Sequence, residues 1–425
     1  MTTDFFREKA RFYSAQLTDN ILPFWIRHAR DPKGGYHTCL NRDGSVYDYD
    51  KVCMWHAGRL IWTYSHLYAD WRPEPAWLDF AAWGIAFLEN TRYVANGRMF
   101  YALTRDGMPL QNPCDLATVN STVLGLVGFA HATRNQALHD QGRALFFAQA
   151  WERLQRPGEA YQPFIATTRP VRVHGHSMIG LNVLQELRRF DDGDEFDPLI
   201  DTCARQMLEL HFRPERRVLL ELVGWQGEDL PGGEGRMVNP GHMIEGGIFL
   251  IHEGLRRNTS HYVAEGCRLV RFGFETGWDA EHGGIYNDVD AEGLPIGNAD
   301  VYRACGKLWW QHAEALYGTM LAYAVTGDPW FLAAYEKTES YSFSHFADAE
   351  FGEWYAYLDR YGKPINLAKG TPRKNSFHIG RNFYWCCRLA GRIASGEWSV
   401  RNLVRGPLAP RTRTGNSEPN GGRLG

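Results

Sequence analysis

A short pattern of glycine, aromatic residues and a tight turn recurs along the chain, and it constrains the fold more than any other feature. Gly34-Gly-Tyr-His-Thr-Cys-Leu-Asn-Arg-Asp-Gly44 is matched by Gly97-Arg-Met-Phe-Tyr-Ala-Leu-Thr-Arg-Asp-Gly107, and both close on Arg-Asp-Gly. The frame returns from Gly283 to Gly293 and from Gly352 to Gly362, with weaker copies starting at Gly158 and Arg217. Strand-like residues on both sides of a glycine turn read as β-hairpins. Successive copies lie 59 to 69 residues apart. Six units therefore fill the chain, each with room for two helices of about 12 to 18 residues.

The helices themselves divide into two kinds. Leu60-Ile-Trp-Thr-Tyr-Ser-His-Leu-Tyr68 is apolar almost all round, as a helix packed on both sides must be. Trp77, Phe80, Ala81, Ile85 and Leu88 instead form a one-sided stripe, with Asp79 and Glu89 off it, as an outer helix would show. The expected fold is all-α: an (α/α)6 barrel of six helical hairpins in two concentric rings over residues 1–396. Short β-hairpins at Gly44, Gly107, Gly293 and Gly362 should gather at the end where the pocket opens. Residues 397–425 are rich in Arg, Pro and Gly and poor in apolar residues, the composition of a flexible tail.

Charge excludes some partners. With 46 basic against 49 acidic residues the net charge is −3, so there is no electrostatic footprint for nucleic acid or an anionic membrane. A charged N-terminus, and no apolar run taken to approach the roughly 18 residues of a membrane span, point to a cytoplasmic protein. The eight Cys include no C-x-x-C pair and read as reduced, buried thiols. Aromatic residues reach 14%, with 15 Trp, and flat apolar rings suit the C–H faces of sugars as well as ordinary cores. No phosphate loop, dinucleotide fingerprint or nucleophile elbow occurs.

In a closed ring of helical hairpins, the starts of the inner helices face one central pocket. His176, His242, His312 and His378 follow one another at 66, 70 and 66 residues, almost one repeat each. A single histidine is more often structural than catalytic, but a series in phase with the repeat points to a shared pocket. His242 opens a helix behind Asn239-Pro-Gly, and Glu245 lies at i+3 on the same face, where a carboxylate orients an imidazole or merely pairs at a helix start. Asn375 or Ser376 can cap the helix that begins beside His378, with Phe377 as a wall. Arg59 opens an otherwise apolar inner helix; a buried guanidinium needs an anionic or carbonyl partner, either a substrate oxygen or an internal carboxylate. Trp55, Trp310, Gln311 and Glu314 complete the candidate lining. His174-Gly-His176 and His242-x-x-Glu245 contain metal-ligating types but no zinc signature, so no catalytic metal is expected.

Taken together, Gly34 to Asp48, Trp55-His-Ala-Gly-Arg-Leu-Ile-Trp62, Pro240-Gly-His-Met-Ile-Glu245, Lys307-Leu-Trp-Trp-Gln-His-Ala-Glu314 and Phe377-His378 resemble the N-acylglucosamine 2-epimerase family. That family includes the renin-binding proteins and has cellobiose 2-epimerases and aldose–ketose isomerases as relatives. The resemblance implies an (α/α)6 barrel, often a homodimer. It also implies an isomerase that moves a proton at C2 of an open-chain sugar, interconverting N-acylglucosamine and N-acylmannosamine. His242 and His378 would be the catalytic bases, with Arg59, Glu245 and Glu314 supporting them. Glu314 is also a candidate for binding the sugar, together with His176, Trp310, Gln311, Phe377 and Trp55. The chemistry needs no cofactor, because a neutral imidazole accepts a proton acidified by the neighbouring carbonyl. A nucleotide activator is implied by the family alone, without a motif here.

His176 departs from the pattern of the N-acyl sugar epimerases, since the isomerase relatives place a histidine nearby. An aldose–ketose isomerase of free hexoses therefore stays open. So does a non-catalytic sugar-binding or protein-binding barrel, although binding alone does not call for paired bases. A glycoside hydrolase would need two carboxylates across the pocket, and only Glu245 and Glu314 are placed to try.

Overall fold

In the computed structural model, residues 2–49, 52–91, 93–95, 97–111, 115–156, 170–191, 193–291 and 306–400 are described. Six inner helices run Met54–Asp70, Leu116–Thr133, His174–Arg188, Pro240–Arg257, Trp309–Thr326 and Phe377–Ser395. Each packs on the next, and the sixth returns to the first, closing the ring. The outer helices are Thr2–Ala15 with its continuation Leu22–His28, then Pro75–Glu89, Gln136–Phe146, Asp197–Arg205, Ser260–Gly277 and Pro329–His345. The first outer helix packs on the last inner helix, so the two chain ends lock the toroid.

Burial follows the two patterns in the sequence. From Met54 to Leu67 nearly every residue of the first inner helix is buried, whereas Pro75–Glu89 buries Trp77, Phe80, Ala81, Gly84, Ile85, Phe87 and Leu88 and exposes its other side. One sequence expectation needs correction. Leu116–Thr133 is an 18-residue helix apolar enough to cross a membrane by length and composition, but 72% of it is buried as an inner stave of the barrel. All-round apolarity is the mark of a helix buried on both sides as much as of a membrane span.

The hairpins form where the glycines lie. Gly44, Gly107 and Gly362 have φ of 84°, 79° and 83°, the left-handed region that glycine enters without steric cost. Cys39–Leu40 pairs with Val46–Asp48, and Ala102–Leu103 pairs with Pro109–Gln111. The weaker copy at Arg217 is also a hairpin, Phe212–Arg213 against Val218–Leu219. The copy at Gly158, the turn at Gly293 and the tail from 401 lie outside the described residues. The first tail residues are docked: Trp398 donates from Nε1 to Ala324 O at 3.1 Å.

The repeated arginine does more than accompany a turn. Arg105 makes a bidentate pair with buried Asp31 of the preceding hairpin, at 2.7 and 2.8 Å. Arg42 does the same with Asp348, at 2.7 and 2.9 Å, so the first hairpin is tied to the last. Arg360 reaches Asp279 at 3.4 Å, and Lys307 reinforces that carboxylate at 3.1 Å. Each Asp also accepts the backbone N–H two residues on, which fixes the loop that presents it. The hairpin end of the barrel is thus laced from repeat to repeat by charge-assisted hydrogen bonds.

Candidate active site

The inner helices begin at the hairpin end, and their first turns carry the polar groups. Asn239 caps the fourth inner helix by accepting the His242 N–H at 2.9 Å. At the sixth, Asn375 accepts the Phe377 N–H at 2.9 Å, while Ser376 makes no side-chain cap. The indole of Trp310 lies against both histidines, its centroid 5.2 Å from the His242 ring and 5.4 Å from the His378 ring. Gly241 permits this approach: a Cβ there would lie 2.4 Å from Gln311 Cγ and 2.5 Å from the Trp310 ring.

Each histidine has its own carboxylate. His242 Nδ1–H donates to Glu221 at 3.0 and 3.1 Å. His378 Nδ1–H donates to Glu314 at 2.7 Å, and its Nε2 receives a hydrogen bond from Arg59 at 3.0 Å. A guanidinium only donates, so this pair fixes His378 as the neutral tautomer with a lone pair on Nε2. Arg59 lies over the Trp55 and Phe377 rings at 4.5 and 4.6 Å and donates to Ser121 Oγ at 3.3 Å. Ser121 is within reach because the first two inner helices touch at glycines; a Cβ on Gly58 would sit 2.1 Å from the Ser121 carbonyl.

The surroundings push the two histidines apart. Burial lowers both, but at His242 the charge and hydrogen bond of Glu221, with Glu245 and Asp288, more than offset it and raise the pKa above 6.5. At His378, burial and then the Arg59 guanidinium hold the ring well below 6.5, against the weaker pull of Glu245. Arg59 itself is lowered to about 9 by burial. Glu221 is held at about 2, because His242 outweighs the burial that would raise it. One imidazole thus favours its charged form and the other its neutral form, the arrangement expected of an acid and a base in one pocket.

Several expectations are corrected by the geometry. Glu245 shares a face with His242 but pairs with Arg381, a buried arginine that also reaches Glu314 at 2.6 Å. Glu314, a candidate both for supporting the histidines and for the sugar, is fully buried, where it accepts from His378 at 2.7 Å and from Asn382 at 2.7 Å. Phe377 is not an open wall; its ring is sandwiched between the guanidiniums of Arg59 and Arg381, at 4.6 and 4.7 Å. Gln311 is buried and donates to Asn287 at 2.5 Å, part of the support under the Asn239 cap.

His312 is turned away altogether. It accepts the Ile285 N–H at 2.9 Å, faces Leu308 O at 2.7 Å and stacks on Tyr341. Two residues on a helix are about 200° of rotation, so Trp310 occupies the pocket face that the histidine spacing had assigned to His312. Trp310 is in fact equidistant in sequence from His242 and His378. His176 is lowered to about 4 by burial and feels Asp115, Glu221 and His242, which puts it at the edge of the same group.

Glu221, Arg381 and Ser121 were missed from sequence. A signal existed for two of them: Glu221 is the only charge in Val218-Leu-Leu-Glu-Leu-Val223, and Arg381 is a cation one turn beyond His378 on an apolar helix. A charge that burial strands must find a partner.

Residues 34–381 match the sequence pattern of the N-acylglucosamine 2-epimerase (GlcNAc 2-epimerase) family. The rat N-acylglucosamine 2-epimerase is 32% identical over 394 residues, covering 89% of this chain and 91% of the relative. Its human counterpart is 31% identical, covering 89% and 90%. In fold, the chain resembles the cellobiose 2-epimerase of Spirochaeta thermophila, with a TM-score of 0.78 at 21% identity over 92% of this chain and 98% of that one. On this match of sequence along most of its length, carried on the ring of six helical hairpins, the chain belongs to the N-acylglucosamine 2-epimerase family.

Proposed function

We propose that this isomerase interconverts N-acylglucosamine and N-acylmannosamine by removing and returning the proton at C2 of the open-chain sugar. The observation that carries the reading is the pair of histidines that share contact with Trp310, each with its Nδ1 fixed by a separate carboxylate. Inverting a carbon requires a proton to leave one face and arrive on the other, so two groups on opposite sides of the sugar are needed. In the resting state the Nε2 lone pair of neutral His378 accepts from Arg59, and it is freed to take a proton when Arg59 turns to the substrate oxygen. His242 keeps its Nδ1–H on Glu221 and, when protonated, has an Nε2–H to give. Arg59, already within hydrogen-bond distance of His378, is placed to donate to the carbonyl oxygen as it becomes an enolate. Trp310 offers its face to the apolar side of the sugar ring or chain.

The reaction as written needs no cofactor. Glu245, Glu314 and His378 hold donor atoms of the kind that bind a metal, but the guanidinium of Arg381 already fills the space between the two carboxylates. A second reading, aldose–ketose isomerisation of a free hexose, is favoured by one observation, the histidine at position 176 in the first turn of the third inner helix. That reaction shares the enolate and returns the proton to C1. Incubation with N-acetylglucosamine, N-acetylmannosamine, mannose and glucose, followed by proton NMR, tests both. Interconversion of the two N-acetyl sugars is expected; ketose formed from mannose, with the N-acetyl sugars unchanged, would replace the first reading by the second.

A further inference from the structure

Behind His242 lies a group that the proton transfer does not use. His174 is the first residue of the third inner helix and is fully buried, yet neither of its ring nitrogens has a hydrogen-bond partner. Its Nδ1 lies 3.9 Å from Glu221 Oε2, the carboxylate oxygen that His242 Nδ1 also approaches at 3.1 Å. One donor atom from each of His174, Glu221 and His242 falls within 4.8 Å of the others. A buried imidazole that keeps a lone pair and an N–H unmatched is unusual, because buried polar groups are nearly always paired.

We propose that His174, Glu221 and His242 form a binding site for a zinc-like divalent cation whose occupancy switches the enzyme off. Two imidazoles and one carboxylate are the donor set that three-ligand zinc sites use, with a fourth position left for water. Tetrahedral zinc holds such donors about 3.3 Å apart, so the cluster needs to close by up to about 1.5 Å around the ion. His211, edge-on to the His174 ring at 5.7 Å, donates its Nδ1–H to Leu220 O, and its Nε2 is likewise buried without a partner. Access comes from the pocket side, where the His242 side chain alone of the three is appreciably exposed, at 27% against 0% and 8%.

The consequence for catalysis rests on the role given to His242 above. A cation on Nδ1 displaces the proton shared with Glu221 and leaves the far nitrogen as an N–H too weakly acidic to give its proton and without a lone pair to take one. The ion would be an inhibitor competing for the catalytic base, not a participant in turnover.

Cobalt(II) is the probe, because its visible d–d bands report a four-coordinate site without any reference to turnover. Metal-free enzyme titrated with Co2+ should develop the intense bands of a tetrahedral site at one equivalent per chain, while epimerisation falls about tenfold or more and returns on adding a chelator. His174→Gln should lose the bands and weaken binding about tenfold or more, and its turnover should become insensitive to the ion. Cobalt-edge X-ray absorption of the unmodified enzyme reads the same site with no variant, and two imidazoles per ion are expected. Octahedral-type weak bands, fewer than two imidazoles, or unchanged bands in His174→Gln would overturn the site. Full bands with undiminished turnover would instead leave the site standing and remove His242 from catalysis.

Discussion

Glu221 and His242, 21 residues apart in sequence and on different elements, share a hydrogen bond of 3.0 Å that sets the charge of the imidazole. The folded pKa of His242 lies above its ordinary value, so the protonated form persists to higher pH than in a free imidazole. Glu221→Gln keeps the shape but removes the charge, and burial then lowers the pKa. In the direction of reaction that uses His242 as the acid, the alkaline limb of the kcat/KM profile should move to lower pH, with a loss of about 10- to 100-fold at neutral pH. A pH profile with an unmoved alkaline limb would mean that Glu221 does not govern His242.

Arg59 offers a test of the oxyanion assignment. Arg59→Lys keeps a positive charge but loses the planar fork that now spans His378 Nε2 and Ser121 Oγ. Turnover with N-acetylglucosamine should fall by about 10² or more, while the thermal midpoint changes little. Wild-type turnover in this variant would take Arg59 out of the mechanism.

The laced hairpins predict where stability resides. Asp31 is buried at 1% exposure, and Arg105→Ala would strip it of its bidentate partner, leaving only His37 at 3.5 Å and the backbone N–H of Lys33. The cost should be about 1 to 3 kcal/mol. Arg7→Ala, which removes an exposed pair with Asp4, should change stability by less than about 0.5 kcal/mol. Denaturant melts of the two variants separate the cases; equal effects would show that the laced pairs are no more than surface decoration.

The sequence carries the barrel openly because the repeat sets the helix count, and the two apolar patterns separate inner from outer helices before any contact is known. The site is less legible. His242, His378, Arg59 and Trp310 could be placed because each sits at the start of an inner helix, where the repeat aligns equivalent positions. Spacing alone misassigned His312, because a shift of two residues within one unit turns a side chain to the other side of its helix. Glu221 escaped because it sits on the segment before an inner helix and meets His242 only through tertiary packing, whereas Glu245, the local candidate at i+3, was drawn off by Arg381, an arginine 136 residues away. Local geometry says which groups can meet, but competition among buried charges decides which do.

The two-base reading makes its sharpest prediction in heavy water. If His242 and His378 serve opposite faces of C2, replacing either with Asn removes net epimerisation but leaves the other able to take a proton from the epimer whose C2–H it faces. Each variant should therefore still exchange substrate hydrogen with D2O, in one epimer only. The two should cross over: one variant labels the gluco-configured sugar and the other the manno-configured sugar, with deuterium confined to C2. The pair is unequal in the resting enzyme, since His378 is held neutral and His242 favours its proton. Exchange through His378, measured in His242→Asn, should accordingly persist to lower pH than exchange through His242 in His378→Asn. Label in both epimers from both variants would place the bases elsewhere. Deuterium at C1 with ketose accumulating would assign the enzyme to the isomerases and make His176 the next residue to replace.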